Sequence, residues 1–316
     1  TSTILKAANA VIARNSDRMG KELWTEGNEG DPVVLYGASN DLEEARYVVE
    51  FIEDWMSKGQ AADSVAILYR SNAQSRVFEE KLMQAGIAYR VYGGLRFFER
   101  AEIKDALAYM RLISNLHSDA AFERIINQPP RGIGNKTLEV IRHQARAEEQ
   151  SLWQASRSLL SEQGLPARAA TAVTRFLDLV ASLQAEIDNL DLHEQADVIL
   201  ARSGLLEHYR KEKGERAETR VENLEELVNA TRNYEQDEDE DELDPLSSFI
   251  AHAALEAGEG QAEEWESCVQ LMSLHSAKGL EFPLVFMTGL EEGLFPHQRS
   301  IDEPGKLEEE RRLCYV

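Results

Sequence analysis

Cysteine is almost missing from this sequence: 316 residues hold only Cys268 and Cys314, with no C-x-x-C spacing. Neither a disulfide framework nor a zinc or other metal site is expected, which points to a reducing compartment, the cytoplasm. No apolar run is long enough to span a bilayer, so no membrane partner is expected. The N-terminus lacks the charged-then-apolar pattern of a secretory signal. Positive charge is also scarce: 34 Lys and Arg face 57 Asp and Glu, a net charge of −23. Taken alone, that balance argues against a nucleic-acid partner.

The charge is unevenly spread. Between Ala66 and Arg146 there are 13 Lys and Arg against 8 Asp and Glu, a local excess of 5 positive charges that leaves −28 on the rest. Much of the acid sits in "EQDEDEDELD", Glu235 to Asp244, eight carboxylates in ten residues. Such a run is expected to be a solvated loop whose charges repel one another. An acidic protein with one basic face can still hold phosphates there.

At this length two domains are expected, and 43% apolar with 29% charged residues is the composition of a globular protein. Residues 1–92 alternate helix and strand. "STILKAANAVIARN" opens with cap residues and has apolar residues at helical spacing. "PVVLYG" is expected to be a short strand and "NDLEEARYVVEFIEDWM" an amphipathic helix. "SVAILYR" suits a strand buried on both faces, followed by helix "AQSRVFEEKLMQAG" and strand "IAYRVYG". Residues 93–265 have no convincing strand and several helical patterns, among them "EIKDALAYMRLISN" and "NKTLEVIRHQARAEE". Strand character returns in 266–316 with "VQLMSLH" and "PLVFMTGL", while "KLEEERRLCYV" fits a charged helix start or a strand lead-in. The expected class is α/β: a mostly parallel sheet of about five strands, interrupted by an all-helical insertion. Both ends look cut, so a fragment is expected.

One stretch, "PPRGIGNKTL" from Pro129 to Leu138, ends almost like a nucleotide-binding loop. A true loop of that kind reads G-x-x-x-x-G-K-S/T after a buried strand. Here Asn135 replaces the glycine before Lys136, the preceding "AFERIIN" is helical, and two prolines prevent a continuous run of N–H donors. Helix, tight Gly-x-Gly turn, helix is another device. Gly132 and Gly134 permit a turn that presents free N–H groups at the start of the next helix, where one phosphate fits. Lys136 and Thr137 add an ammonium and a hydroxyl, and Ile133 can plug into the core. The pattern resembles the helix-hairpin-helix class, which holds a DNA backbone without reading bases; a plain helix–helix connection is the other reading.

The segment "LMSLHSAKGLEFPLVFMTGLEEGLFP", Leu271 to Pro296, resembles motif V of the superfamily 1 helicases of the UvrD/Rep type, and "KLEEERRLCYV" resembles the opening of their motif VI. "AILYRSNAQSR" and "YGGLRFFERAEIKDALAYMRLI" are similar to the segments leading from domain 2A into domain 2B. The resemblance covers essentially the whole chain. It implies a RecA-like domain 2A, residues 1–92 and 266–316, split around a helical domain 2B, residues 93–265.

The resemblance also implies roles. Glu281, with Gly279 in the sharp turn before it, faces ATP and accepts a hydrogen bond from a ribose hydroxyl; His275 lies near single-stranded DNA. Read alone, His275 is a strand-end histidine and Glu281 an exposed turn carboxylate. Arg70 and Asn72 follow a buried strand and can reach a DNA backbone, although Arg70 equally suits a carboxylate partner inside the fold. Arg96 and Lys104 flank the entry to 2B and suit duplex phosphate or, equally, surface salt bridges; Gly132, Ile133, Gly134, Lys136 and Thr137 are further candidates for duplex phosphate. Phe97 and Phe98 are expected to be core anchors, and Arg76 an exposed helix residue.

By the same resemblance, the phosphate cradle, the Mg²⁺ ligands and both arginine sensors belong to parts of the protein outside these residues, so no catalytic residue is expected here. Phosphoryl transfer needs them together, so the chain alone is expected not to hydrolyse ATP. The implied partners are single-stranded DNA, single/double-strand junctions, the 1A/1B half of the same protein and proteins of excision and mismatch repair, on the bacterial nucleoid. Rep- or PcrA-type replication helicases, a helicase–nuclease subunit and a non-catalytic DNA-binding or protein-docking module are the alternatives.

Overall fold

The structure, a computed structural model, describes residues 1–16, 20, 22–236, 244–258, 266–303 and 305–316. Residues 237–243 of the acidic run lie outside the described residues. No helix among the described residues is long and apolar enough to cross a membrane.

In chain order the first elements are α1 (Ser2–Ile12), α2 (Asp41–Ser57), β1 (Val65–Tyr69), α3 (Ser75–Gln84) and β2 (Tyr89–Val91). Among the described residues, nine α-helices follow: α4 (Ala101–Ser114), α5 (Asp119–Ile125), α6 (Asn135–Ala147), α7 (Leu152–Ser161), α8 (Ala167–Ile187), α9 (Leu192–Arg202), α10 (Leu205–Lys211), α11 (Glu215–Arg232) and α12 (Pro245–Gly258). The chain then returns to strand in β3 (Val269–Ser273) and β4 (Leu284–Met287) and closes with α13 (Gln298–Asp302) and α14 (Lys306–Tyr315). It divides into two compact units, Thr1–Arg96 with Gln261–Val316, and Phe97–Gly260.

In the first unit four strands pair in the order β2-β3-β1-β4, and every pairing is parallel. β1 is interior because its sequence, Val-Ala-Ile-Leu-Tyr, is apolar on both faces: Val65, Ala66, Ile67 and Tyr69 are each 0% exposed. Its neighbour β3 was 200 residues away in the chain yet lies in register, Ile67 opposite Leu271 and Tyr69 opposite Ser273. On one face Val48, Val49 and Ile52 of α2, with Phe78 and Leu82 of α3, join Ile67 and Leu271 in a single core. α2 starts where Asn40 caps the Glu43 N–H at 2.8 Å, with Asp41, Glu43 and Glu44 in its first turn.

Three local expectations fail. "PVVLYG" forms no strand: Val33, Val34 and Leu35 are 63%, 72% and 88% exposed. Strand propensity counts only where a neighbour supplies the ladder. This segment pairs with no described strand and is held by Tyr36, stacked on Tyr47 of α2 at 3.7 Å. The described sheet therefore has four strands rather than about five. Arg76 is buried, not exposed, because its guanidinium meets Glu80 one turn along α3 at 2.8 Å. Of the two readings of "KLEEERRLCYV", helix start and strand lead-in, the helix holds, as α14.

The second unit contains no strand among its described residues. Its core includes Phe97, Tyr109, Phe122, Ile133, Ile141 and Phe176. Phe122 and Phe176 meet edge to face at 5.5 Å. Phe97 and Phe98 are core residues, as expected, at 1% and 6% exposure.

Candidate nucleic-acid and nucleotide interface

Because β1, β2 and β3 run parallel, their carboxyl ends meet along one edge, where ligands of α/β folds gather. The turns leaving that edge are tied to neighbouring strands. Leu274 N–H donates to Tyr69 O at 2.9 Å, Tyr92 N–H to Leu271 O at 2.8 Å, and Thr288 N–H to Leu68 O at 2.9 Å.

The connection from β3 to β4 carries His275, Lys278, Gly279 and Glu281. Its first turn is internally closed: Ser276 N–H donates to Ser273 O at 2.9 Å, and the Ser273 and Ser276 hydroxyls lie 3.0 Å apart. Gly279 is exposed at φ +84°, a backbone region that side chains other than glycine's rarely adopt. His275, Lys278 and Glu281 are all exposed. Their side chains meet no hydrogen-bond or ion-pair partner among the described residues. The Glu281 carboxylate is thus free to accept a hydrogen bond from a hydroxyl.

The turn after β1 is built differently. Arg70 is not open to a ligand: its Nε lies 3.0 and 3.2 Å from the two Glu310 oxygens and its Nη2 2.9 Å from Oε1. Burial pushes the Glu310 carboxyl up, but the Arg70 hydrogen bonds and charge, with the Ser300 hydroxyl and His297 N–H, outweigh it and hold the group below its ordinary range. Asn72 is exposed at the start of a 3₁₀ turn that Ser71 and Gln74 close with a capping box. Gln74 Oε1 accepts the Arg70 and Ser71 N–H groups at 3.0 and 2.8 Å. Beside it, Gly289 has φ +65°, and a Cβ there would sit 2.1 Å from Gln74 Nε2. The Gly289 N–H donates to Glu44 at 3.0 Å, in a setting where burial pushes the Glu44 carboxyl up. Sequence reasoning missed Gln74 and Glu44, although S-x-x-Q in "SNAQ" is a legible capping box.

Arg96 is 4% exposed, enclosed rather than offered to solvent. Lys104 is exposed on α4.

The glycine turn lies in the helical unit. Gly132 has φ +77° and Gly134 is the N-cap of α6 with no side-chain cap. Ile133 is 3% exposed and belongs to the core, with Leu138 packed against it, the positions of a hydrophobic staple. Gly132, Gly134, Asn135 and Lys136 are exposed, and Thr137 is half-buried. The Thr137 and Leu138 N–H groups close on Gly134 O at 3.0 and 3.2 Å. Those of Gly132, Gly134, Asn135 and Lys136 find no acceptor among the described residues. The structure thus presents four open N–H donors, one ammonium and the positive end of a 13-residue helix together.

The sequence profile of the UvrD-like helicase C-terminal domain matches residues 1–316. Over its full length the chain is 58% identical to DNA helicase II of Escherichia coli (strain K12) and 57% identical to that of Salmonella typhimurium (strain LT2), covering 44% of each. It is 43% identical over 323 residues to the ATP-dependent DNA helicase PcrA of Bacillus subtilis (strain 168), covering 43% of that protein. The chain therefore spans less than half the length of these curated relatives. A profile match from the first residue to the last, with relatives above half identity, places it without ambiguity: the chain belongs to the UvrD-like helicase C-terminal domain family.

Proposed function

We propose that this chain is the 2A and 2B portion of an ATP-dependent DNA helicase that moves 3′ to 5′ along single-stranded DNA in bacterial excision and mismatch repair. In this reading Thr1–Arg96 with Gln261–Val316 is the RecA-like 2A domain and Phe97–Gly260 is 2B. The observation that carries it is the β3–β4 connection, where His275 and Glu281 stand exposed and unpartnered on one short loop of a parallel sheet. The relatives named DNA helicase II and PcrA support the same activity.

Glu281 accepts a hydrogen bond from the ribose, and the sharp turn at Gly279 aims it there. ATP with Mg²⁺, held mainly by the 1A/1B half, supplies the free energy of hydrolysis when bound. His275, six residues before Glu281, meets the single strand, so a shift of this connection on nucleotide binding is transmitted to the DNA grip. Asn72 adds a backbone contact from the neighbouring turn. The glycine turn of 2B holds duplex phosphate through its open N–H groups, Lys136 and Thr137, with Lys104 a more distant phosphate contact. Arg70 and Arg96 take no part in this assignment, one being paired with Glu310 and the other enclosed. The protein works in the cytoplasm on the nucleoid, at single/double-strand junctions.

The test is DNA-stimulated ATPase in the full-length protein. Glu281→Ala should raise the KM for ATP about tenfold with little change in single-strand affinity. An unchanged KM with lost DNA binding would overturn the assignment.

A further inference from the structure

The glycine turn carries a second cation, Arg131, and its geometry is not that of a phosphate ligand. Nη1 donates to Ile125 O at 3.0 Å and Pro129 O at 3.2 Å; Nη2 donates to Ser203 O at 2.9 Å and to the Tyr109 hydroxyl. All four terminal N–H groups are therefore consumed inside the helical unit. The guanidinium also lies over the rings of Tyr109 and Phe176, at 5.7 and 5.5 Å. Three of its four acceptors are main-chain carbonyls just beyond or within the last turns of α5 and α9 and in the turn itself, groups that a helix leaves unsatisfied. Tyr109 passes the arrangement on, its hydroxyl donating to Gln128 O at 2.6 Å.

From the other side, Asn127 Oδ1 accepts the Arg131 N–H at 2.8 Å and the Ile133 N–H at 3.1 Å. The donors at 131 and 133 are thus turned inward. Those of Gly132, Gly134, Asn135 and Lys136 are left without an acceptor among the described residues. Inward and outward N–H groups are sorted before any ligand arrives, the arrangement that lowers the ordering cost of binding.

We propose that Arg131 and Asn127 are positioning residues that hold the Gly132–Gly134 turn in its phosphate-receiving form from behind, with Arg131 touching no phosphate. This rests on the reading of the turn as a grip on duplex DNA. A guanidinium spanning four acceptors cannot be replaced by an ammonium, whose point charge lacks the planar fork. A phosphate contact, in contrast, tolerates lysine, since charge is what it supplies.

The experiment titrates a blunt fluorescent duplex with the full-length protein across a salt series, for wild type, Lys136→Ala, Gly134→Val, Arg131→Lys, Arg131→Ala and Asn127→Ala. Lys136→Ala should weaken binding and flatten the slope of log K against log salt by about 0.9. Arg131→Lys and Asn127→Ala should weaken binding about tenfold with the wild-type slope, and leave single-strand affinity unchanged. Near-wild-type duplex affinity in Arg131→Lys, or an Arg131→Ala slope that falls as in Lys136→Ala, would make Arg131 a contact and overturn the proposal. If Arg131→Lys fails to fold, as judged by circular dichroism, Asn127→Ala alone decides: its retained affinity overturns the proposal. If Lys136→Ala and Gly134→Val both bind duplex normally, the grip reading itself fails, and the positioning role falls with it.

Discussion

Arg70 and Glu310 lie 240 residues apart in the chain and meet as a two-pronged ion pair, Nε to Oε2 at 3.0 Å and Nη2 to Oε1 at 2.9 Å. The pair joins the turn after β1 to α14, so the segments before and after the helical insertion are locked together by charge as well as by the sheet. Removing Arg70 leaves the buried Glu310 carboxylate without its opposite charge, although the Ser300 hydroxyl and the His297 N–H still donate to it; Arg70→Ala is expected to cost roughly 3 kcal/mol. The pH dependence identifies the cause. Glu310 is held below its ordinary value of 4.5, so its contribution is present above pH 4.5 and is lost as pH falls through the lower folded value. In Arg70→Ala the lowering that the guanidinium supplies is gone, and the acid-side loss shrinks. Urea denaturation at neutral and acidic pH checks this; equal acid-side losses in both proteins would contradict it.

Glu44 gives the opposite sign. Burial raises its carboxyl, so the protonated form adds stability that is present below pH 4.5 and is lost as pH rises through the higher folded value. Glu44→Gln keeps an acceptor for the Gly289 N–H without the buried charge and should melt at or above the wild-type temperature at neutral pH. Glu44→Ala should lose about 1 kcal/mol. Equal damage from both substitutions would show that the charge itself is needed.

Gly289→Ala should be severe for its size. The φ of +65° disfavours a side chain, and the new Cβ would collide with Gln74 Nε2, whose amide is already fixed by two N–H donors to its oxygen. The expected loss is about 2 kcal/mol, measured by thermal melting; a melt like wild type would refute the packing described for this turn.

Gly134→Val probes the glycine turn with little disturbance of the free protein. A Cβ at 134 meets nothing within 4 Å, and the residue's φ of −89° is ordinary. Stability should fall by no more than about 1 kcal/mol, the cost of a poorer N-cap, while duplex affinity should fall about tenfold, independent of base sequence. Calorimetry paired with fluorescence anisotropy separates these; lost stability with retained affinity would reverse the interpretation.

His275→Ala should lower single-strand affinity without altering the KM for ATP, the mirror image of Glu281→Ala. A nucleotide defect in His275→Ala would mean that the two ends of the β3–β4 connection are not divided between ligands.

Much of this architecture is legible in the residues. "SVAILYR" is apolar without alternation, which fits a strand covered on both faces, and it is one of the two interior strands. The glycine turn is legible because Gly132 needs positive φ and Ile133 alone is large and apolar between two glycines. The opposite case is Val33 to Leu35, which have strand chemistry and no ladder: propensity is local, and pairing is not. Arg70 is ambiguous for a related reason, since a guanidinium reads the same whether its carboxylate is in the chain or its phosphate is in a ligand; Arg76, expected to be exposed, is buried against Glu80. Arg131 is the sharpest instance. Its place in a turn rich in glycine and beside Lys136 suggests a phosphate, but its partners Ile125, Pro129, Ser203 and Tyr109 come together only in the folded helical unit.

The proposal that this chain is part of an ATP-driven 3′-to-5′ DNA helicase is met most directly by strand separation. The full-length protein should unwind a duplex with a 3′ single-stranded tail when ATP and Mg²⁺ are supplied, and should lose that activity in Glu281→Ala at limiting ATP. Unwinding that prefers a 5′ tail, or that proceeds equally well without ATP, would contradict the account.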